Sequence, residues 1–267
     1  MTKQTWTAAV SAILFVVSAA IIAMVRVPYV TYSPGATTDL LASQGWNVAV
    51  LDIDGEAAAE AAQDIAGRHG VQALGLRTDV SDQASVDESV ARVEAELPPI
   101  VALVNLAGIS SPTEFMQETR EAWDRVFAIN MTGTFMMTQR VLAGMIERKL
   151  GRVVSVSSIS AQRGGGTYSK VAYSASKAAI IGFTRAVARE MGEHGITVNC
   201  IAPGPVDTDI MGGTLSDERK ADMSKDILVG RVGTVRDMAA LLAFLVGQDA
   251  GFITAATYDI NGGLQIS

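Results

Sequence analysis

The chain has 267 residues, of which 49% are hydrophobic and 18% are charged, and its formal net charge at pH 7 is −7. This length is enough for one large α/β domain with a substantial core, and the negative charge without a basic block argues against nucleic acid as a partner. A single cysteine, Cys200, excludes an internal disulfide, and the two histidines lie beside glycines at predicted helix ends, so no metal site is expected.

The N-terminal run at 8–25 contains no charged residue and no polar stripe at helical spacing. Its 18 residues are at the lower limit for a membrane span, so we predict that residues 1–26 form an apolar helix that anchors the protein in a membrane. A secretory signal peptide and a buried helix of a soluble protein are the two alternatives. The remaining residues, 27–267, are expected to form the domain that carries the function.

From about residue 40 onward, the pattern of apolar residues alternates between strand and helix signals. Strands are predicted at 47–53, 71–76, 100–106, 153–157, 196–202 and 257–260. The main helices are predicted at 54–68, 81–97, 119–149 and 235–246, with a further helix that ends near residue 190. Strands alternating with helices of this length predict an α/β fold with a doubly wound, Rossmann-like parallel sheet and right-handed crossovers.

The stretch at 152–190 holds the strongest candidates for chemistry. Tyr173 and Lys177 are four residues apart and therefore share one helix face. An ammonium beside a phenol stabilises the phenolate and lowers the phenol pKa from about 10, which suits a general acid or base. Ser158, at the end of the preceding strand, is placed to donate a hydrogen bond to a carbonyl oxygen. The alternative is a chance Tyr/Lys pair, with the serines serving as turn residues and helix caps.

Other polar or turn-forming residues also come at the ends of predicted strands. Ligands of doubly wound sheets bind at the carboxyl ends of the strands, where these residues are expected to meet. They are Asp52, Asp79, Asn105, Ser158 and Pro203.

The order of strand, Ser-Ser, Gly-rich loop and Tyr-x-x-x-Lys helix resembles the short-chain dehydrogenase/reductase family over about residues 40–267. NLAG at 105–108 is similar to the family motif NNAG, from which Leu106 departs. The resemblance implies hydride transfer between a nicotinamide cofactor and a small alcohol or carbonyl substrate, with the catalytic set Asn130, Ser158, Tyr173 and Lys177. It also implies cofactor contacts at Asp52, Asp79, Val80, Asn105, Ala107, Gly108, Tyr173, Lys177, Pro203, Gly204, Val206 and Thr208.

The resemblance narrows the cofactor and the substrate further. A carboxylate at Asp52 accepts from both ribose hydroxyls of an adenosine and repels a 2′-phosphate, so NAD is expected rather than NADP. The loop before Tyr173 resembles that of members acting on sugars and polyols, with 3-ketoacyl reductases as the near alternative. The resemblance also implies a homotetramer that packs through the long helices around Asn130 and Tyr173.

The family's first strand and its Gly-rich turn, T-G-x-x-x-G-x-G, have no counterpart in this chain. We predict that 27–32 replaces the central strand, that 33–38 forms the turn, and that 38–43 forms a short helix. The turn is a poor phosphate cradle, because Pro34 lacks an N–H and Asp39 brings negative charge near the phosphates. Hydroxyls of Thr37 and Thr38 compensate only in part, so NAD affinity is expected to be low for the family.

The stretch VPYVTYSPGATTDLL resembles the segment after the membrane anchor in actinobacterial PDZ-containing Lon-like proteases. The chain therefore reads as two unrelated pieces joined together. One function consistent with this is a cytoplasmic dehydrogenase domain anchored to the inner membrane. The alternative is a catalytically impaired, membrane-tethered protein that arose by gene fusion and binds cofactor weakly or not at all.

Overall fold

A computed structural model describes residues 13–18, 34–166, 169–208 and 215–266 of the chain, the first of these ranges through its backbone pairing. Within these ranges, strands β1 to β7 form one sheet in the order β3-β2-β1-β4-β5-β6-β7, and every neighbouring pair is parallel. In chain order the strands are Ile13–Ser18, Asn47–Asp52, Ala73–Arg77, Ile100–Asn105, Gly151–Val156, Ile196–Pro203 and Thr257–Ile260.

Helices connect the strands as crossovers. Numbered α1 to α9 in chain order, those within the described ranges are Pro34–Ser43, Gly55–His69, Gln83–Glu96, Arg120–Phe127, Gly133–Arg148, Ser160–Arg163, Val171–Met191, Asp217–Ser224 and Val235–Val246. Side-chain caps fix several of their starts: Asp54 accepts a hydrogen bond from Ala57 N–H to begin α2, and Thr234 forms a capping box with Asp237 to begin α9. One turn of π-helix, Ala128–Thr132, joins α4 to α5.

Apolar clusters cover both faces of the sheet. Neighbouring residues of β2 point to opposite faces, so that Leu51 packs in a cluster with Val86 of α3, whereas Val50 packs in another with Leu41 of α1 and Leu242 of α9. All five side chains are at most 1% exposed. This two-sided burial is what a doubly wound parallel sheet requires, and it confirms the α/β, Rossmann-like prediction.

The centre of the sheet differs from the prediction. Strand β1, Ile13–Ser18, pairs with β2 on one side and with β4 on the other, so it occupies the central position that the sequence assigned to 27–32. Residues 27–32 themselves lie outside the described residues. Leaving this position empty would bury two unpaired strand edges, and the run ILFVVS is as well suited to a buried strand as to a helix.

The prediction of an apolar helix at 8–25 is therefore wrong at 13–18, and the rest of this run lies outside the described residues. The structure does not support the membrane anchor predicted for residues 1–26. Residues in a sheet core cannot at the same time belong to a membrane-spanning helix, and no helix within the described ranges has the length and apolar character to cross a bilayer. The predicted turn at 33–38 is also wrong from Pro34 onward, because α1 begins there and runs to Ser43.

The strand order reverses direction between β1 and β4, which makes this the point where ligands bind in doubly wound sheets. The pairing aligns the carboxyl ends of the adjacent strands there. Ser18 is level with Asp52, and Asn105 is level with Ser155 of β5. The loops that leave these strands form the candidate site.

Candidate active site

Tyr173 and Lys177 lie on the first two turns of α7 and are both buried. The Lys177 ammonium nitrogen, Nζ, is 5.8 Å from the centroid of the Tyr173 ring. It donates a hydrogen bond of 2.7 Å to the carbonyl oxygen of Val156, the last residue of β5. The pairing of phenol and amine that the spacing predicted is thus present, and it is fixed to the end of a strand.

Ser158 is held two residues beyond the end of β5. Ser157 N–H donates to Ile201 O and Ile159 N–H donates to Pro203 O, so Ser158 lies between two backbone anchors to β6. The Ser157 hydroxyl donates to the Lys177 carbonyl at 2.7 Å, which ties this turn to α7. Ser158 itself is 5% exposed, and its Oγ accepts from the N–H of Ser160. These contacts bring the serine turn and the Tyr173/Lys177 face together.

Burial changes the proton affinity of the amine. Loss of hydration in this fully enclosed position lowers the pKa of Lys177 from 10.5 to about 7. A lysine with such a pKa exchanges its proton near neutral pH. When it is protonated, its charge lies beside the Tyr173 ring and favours the phenolate.

Asn130 lies in the π-helical turn Ala128–Thr132 and is fully buried. Its side chain accepts from Ile109 N–H at 2.8 Å and donates to both Ile109 O and Ser176 Oγ at 3.0 Å. The Ser176 hydroxyl in turn donates to the carbonyl of Tyr173 at 2.8 Å. Asn130 therefore connects the loop after β4 to the first turn of α7, which supports the position of the phenol.

Gly108 lies where this loop approaches the amine. A Cβ at this residue would be 3.2 Å from Lys177 Nζ and 3.3 Å from Asn130 Oδ1, which is tighter than ordinary contact. Ala107, just before it, is buried. A glycine lets the backbone come this close without crowding, so three of the sequence-predicted residues, Gly108, Asn130 and Lys177, meet at one point.

Asn105 is placed differently from the other predicted contacts. Its amide nitrogen donates to Thr138 Oγ1 on α5 at 3.0 Å and to Ser155 Oγ on β5 at 3.1 Å. Its Oδ1 is buried, with no hydrogen-bond partner among the described residues. The side chain thus holds β4 to its neighbours inside the fold, and a contact of this side chain with a cofactor is limited to the remaining oxygen.

The carboxylates at the other side of the crevice follow β2 and β3. Asp52 is 7% exposed and accepts from Asp54 N–H at 3.0 Å, while its own carbonyl accepts from Thr78 N–H. Asp79 accepts from the N–H and the hydroxyl of Ser81. Val80 is buried against Gly133 of α5, where a Cβ would be 2.8 Å from the valine Cγ2. The two aspartates therefore lie in rigid turns at the same edge of the sheet.

The segment after β6 closes the site on the opposite side. Gly204 N–H donates to Ile260 O, and a Cβ at Gly204 would be 2.8 Å from the Cβ of Asn261, so no larger residue fits. Val206 forms a parallel bridge with Gly233. Thr208 is 8% exposed, and its hydroxyl donates to Val206 O at 3.4 Å. The predicted residues from Pro203 to Thr208 thus lie along one edge-anchored turn.

Two features of the site were not found from the sequence. The hydroxyls of Ser157 and Ser176 fix α7 to β5 and to Asn130, and the only signal for them was a serine-rich composition.

Asp39 does not have the predicted role near phosphates, because its carboxylate pairs with Arg68 and His69 at the end of α2. Thr38 is fully buried in α1, and its hydroxyl donates to Gly35 O, so it is turned into the helix.

Comparison with known proteins gives consistent matches over most of the chain. The family model described as enoyl-(acyl carrier protein) reductase matches residues 35–265. A short-chain type dehydrogenase/reductase of Sinorhizobium fredii is 40% identical over 232 residues, which cover 86% of this chain and 91% of that protein. A 3-oxoacyl-(acyl-carrier-protein) reductase of Aquifex aeolicus is 34% identical over 229 residues, with the same coverage. An acetoacetyl-CoA reductase of Shinella zoogloeoides is 41% identical over 185 residues, covering 69% of this chain and 76% of that protein.

The matched region begins at residue 35, within the stretch 27–41 in which a similarity to Lon-like proteases was expected. None of these matches supports that similarity. The alignment with the Sinorhizobium fredii protein covers 91% of that protein's length.

Proposed function

The chain belongs to the short-chain dehydrogenase/reductase family, and we propose that it transfers a hydride between a nicotinamide cofactor and an alcohol or carbonyl substrate. The observation that carries this proposal is the enclosed amine of Lys177, whose Nζ lies 5.8 Å from the Tyr173 ring and is fixed to the end of β5. A buried lysine with a pKa of about 7 beside a buried phenol is an expensive arrangement for a purely structural purpose.

Each side chain has a role in this reaction. Tyr173 donates a proton to the carbonyl oxygen during reduction and accepts it from the alcohol during oxidation. Lys177, when protonated, stabilises the phenolate, and Ser158 donates a hydrogen bond to the substrate oxygen. Asn130 positions α7 through Ser176. A bound nicotinamide cofactor supplies or accepts the hydride.

The residues present fit such a cofactor. Gly108 lets the loop after β4 approach Lys177 and Asn130 without a side chain of its own, and Asp52 places a carboxylate at the end of β2. The negative charge of Asp52 favours two free ribose hydroxyls and opposes a 2′-phosphate, which supports NAD over NADP. Residues 19–33, which follow β1 in the sequence, contain no glycine that could serve the family's Gly-rich turn, and on this ground we keep the expectation of weak NAD affinity. Isothermal titration with NADH tests it, and a low-micromolar dissociation constant would contradict it.

The relatives guide the choice of substrate class. The names of two of them specify reduction of 3-oxoacyl-(acyl-carrier-protein) and of acetoacetyl-CoA, which are both 3-ketoacyl thioesters. We therefore place a 3-ketoacyl thioester ahead of sugars and polyols as the substrate of this chain.

We also propose that the chain forms a homotetramer through the long helices around Asn130 and Tyr173. Exposed Phe135 on α5 supports this. Light scattering on the purified protein measures the mass, and a monomer would contradict the assembly.

The test of function is oxidation of NADH, followed by absorbance, in the presence of acetoacetyl-CoA. Tyr173→Phe removes the proton donor and is expected to lower turnover by roughly 10²- to 10⁴-fold, the usual contribution of a general acid. Tyr258→Phe makes the same change at a half-buried tyrosine on β7 and serves as the matched control, with turnover expected to stay near wild type. If wild type reduces neither 3-ketoacyl thioesters nor sugar and polyol ketones with either cofactor, the proposal fails.

A further inference from the structure

Backbone hydrogen bonds to Gly233, more than twenty residues later in the chain, anchor the turn between Pro203 and Thr208. Asp207 N–H donates to Gly233 O at 2.9 Å, and Gly233 N–H donates to Pro205 O at 3.0 Å. These two bonds flank the parallel bridge between Val206 and Gly233. The backbone of Asp207 is therefore fixed, and its carboxylate projects from a rigid base.

This carboxylate has two partners that lie beyond the turn. Oδ1 accepts from the N–H of Leu215 at 3.3 Å, and Oδ2 accepts from Nζ of Lys220 on α8 at 2.6 Å. The two side chains of the ion pair are only 28% and 32% exposed, so water and salt screen it less than an ordinary surface pair. Both bonds converge on a single residue that directly precedes Thr208.

Leu215 is itself anchored. It is 3% exposed and packs with Ile227 and Val232 in a small apolar cluster separate from the two that cover the sheet. Apolar contacts of this kind have no preferred direction, whereas the hydrogen bonds to Asp207 do. Through its bonds to Leu215 and Lys220, the carboxylate links α8 to the turn at the end of β6.

From this geometry we propose that Asp207 is a positioning residue whose carboxylate, by holding Leu215 N–H and Lys220 Nζ, keeps Thr208 and α8 in place beside the cofactor. The inference rests on the proposed function, because Pro203, Gly204 and Thr208 are its cofactor contacts on this side. Asp207 acts through Thr208 and touches no reacting atom, so its loss weakens binding and leaves the chemical step intact.

Three variants separate the two bonds. Asp207→Ala removes both, Asp207→Asn keeps an oxygen for Leu215 N–H but loses the charge, and Lys220→Met removes only the ion pair. A matched control is Asp222→Asn on the same helix, which breaks an ion pair with Lys225 just after the helix end, where both partners are more than 70% exposed. If Asp207→Ala fails to fold, the two milder variants still test the proposal.

Two measurements are needed. Hydrogen exchange of the amides at 215–224 reports the hold on α8 without reference to activity, and titration calorimetry gives the NADH dissociation constant. We expect Asp207→Ala to raise both the exchange rate and the dissociation constant by about tenfold, the usual effect of losing hydrogen bonds to a charged group. Smaller increases are expected for Asp207→Asn and Lys220→Met, with none for Asp222→Asn, and turnover at saturation should change by less than about threefold.

Faster exchange with an unchanged dissociation constant would overturn the proposal by reducing Asp207 to a structural role. A large loss of turnover at saturation with unchanged NADH binding would overturn it in the other direction, by placing Asp207 in the chemical step. Failure of the wild type to bind either NADH or NADPH is a different result and overturns the proposed function itself.

Discussion

Replacing Lys177 with methionine is expected to abolish activity and to make the protein more stable at pH 7. The lysine pKa falls from 10.5 in the unfolded chain to about 7 in the folded protein because burial removes its hydration. At about 1.4 kcal/mol for each pH unit, this difference corresponds to a cost of about 5 kcal/mol at and below pH 7. Methionine has a similar length and carries no charge. Its substitution also removes the bond to Val156 O, which costs about 2 kcal/mol, so the net gain is about 3 kcal/mol.

The pH dependence makes this prediction specific. Between pH 7 and 10.5 the unfolded lysine keeps a proton that the folded one has lost, so the stability of the wild type rises with pH in this window. At pH 9 the remaining cost is about 2 kcal/mol, which matches the lost hydrogen bond, and the two proteins should then be equally stable.

Urea unfolding of both proteins at pH 7 and pH 9 measures the difference, and Lys225→Met, at an exposed lysine just after α8, is the control for removing a positive charge. A variant that is less stable than the wild type at pH 7, or a difference that stays constant between the two pH values, would refute the reasoning.

Three further substitutions test the cofactor preference, the crowded loop and the central strand. Asp52→Asn removes the charge but keeps an acceptor, and the ratio of kcat/KM for NADPH to that for NADH should rise by about tenfold or more; an unchanged ratio would show that this carboxylate does not set the preference. Gly108→Ala places a Cβ 3.2 Å from Lys177 Nζ, so we expect a loss of stability of about 1 to 3 kcal/mol in urea unfolding and a lower kcat in the NADH assay. Wild-type stability together with wild-type kcat would contradict the close approach. Val16→Pro removes an N–H from the strand that pairs on both sides, at a cost of about 3 kcal/mol or more in a thermal melt. Thr31→Pro lies in the stretch that the sequence assigned to the central strand, and a larger loss there than at Val16 would return the centre of the sheet to 27–32.

The alternation of strands and helices was predictable because each element carries its own signal. The strand Asn47–Asp52 contains an apolar run at 48–51 and is followed by the helix-start signal Asp54 and Gly55, and α2 ends where Gly70 adopts a left-handed conformation, with φ of 68°. The shared face of Tyr173 and Lys177 likewise follows from helix geometry alone. Local periodicity, caps and turns were enough for these features.

Contacts between distant residues were not predictable in the same way. Asn130 bonds to Ile109, 21 residues away, and to Ser176, 46 residues away. A buried asparagine requires partners, but nothing in its own neighbourhood of the sequence identifies them. The same holds for Asn105, which appeared as a cofactor contact because of its place in a motif, whereas its amide nitrogen holds two other elements of the fold.

The N-terminal run shows why apolar composition alone misleads. ILFVVS at Ile13–Ser18 lacks polar residues except at its end, and a fully buried strand in a parallel sheet has the same pattern as a segment of an apolar helix. What decides between them is the vacancy between β2 and β4, which is a property of the whole sheet. The prediction recognised that this position had to be filled and chose the wrong stretch to fill it.

The site contains buried polar side chains that lower the stability of the fold, and hydrogen bonds to the surrounding backbone offset part of this loss. Lys177 and Asn130 are at most 2% exposed, and each removes polar groups from water at a cost. Hydrogen bonds to the backbone offset part of this cost. Lys177 donates to Val156 O, Asn130 donates to Ile109 O, and the neighbouring Ser157 donates to Lys177 O. For the Lys177 amine the compensation is incomplete, because its hydrogen bond to Val156 O does not restore its ordinary pKa. The proposed function accounts for a lysine held at this cost at the end of a sheet, beside a phenol, and an increase in stability when the lysine is removed would be the direct sign of that cost.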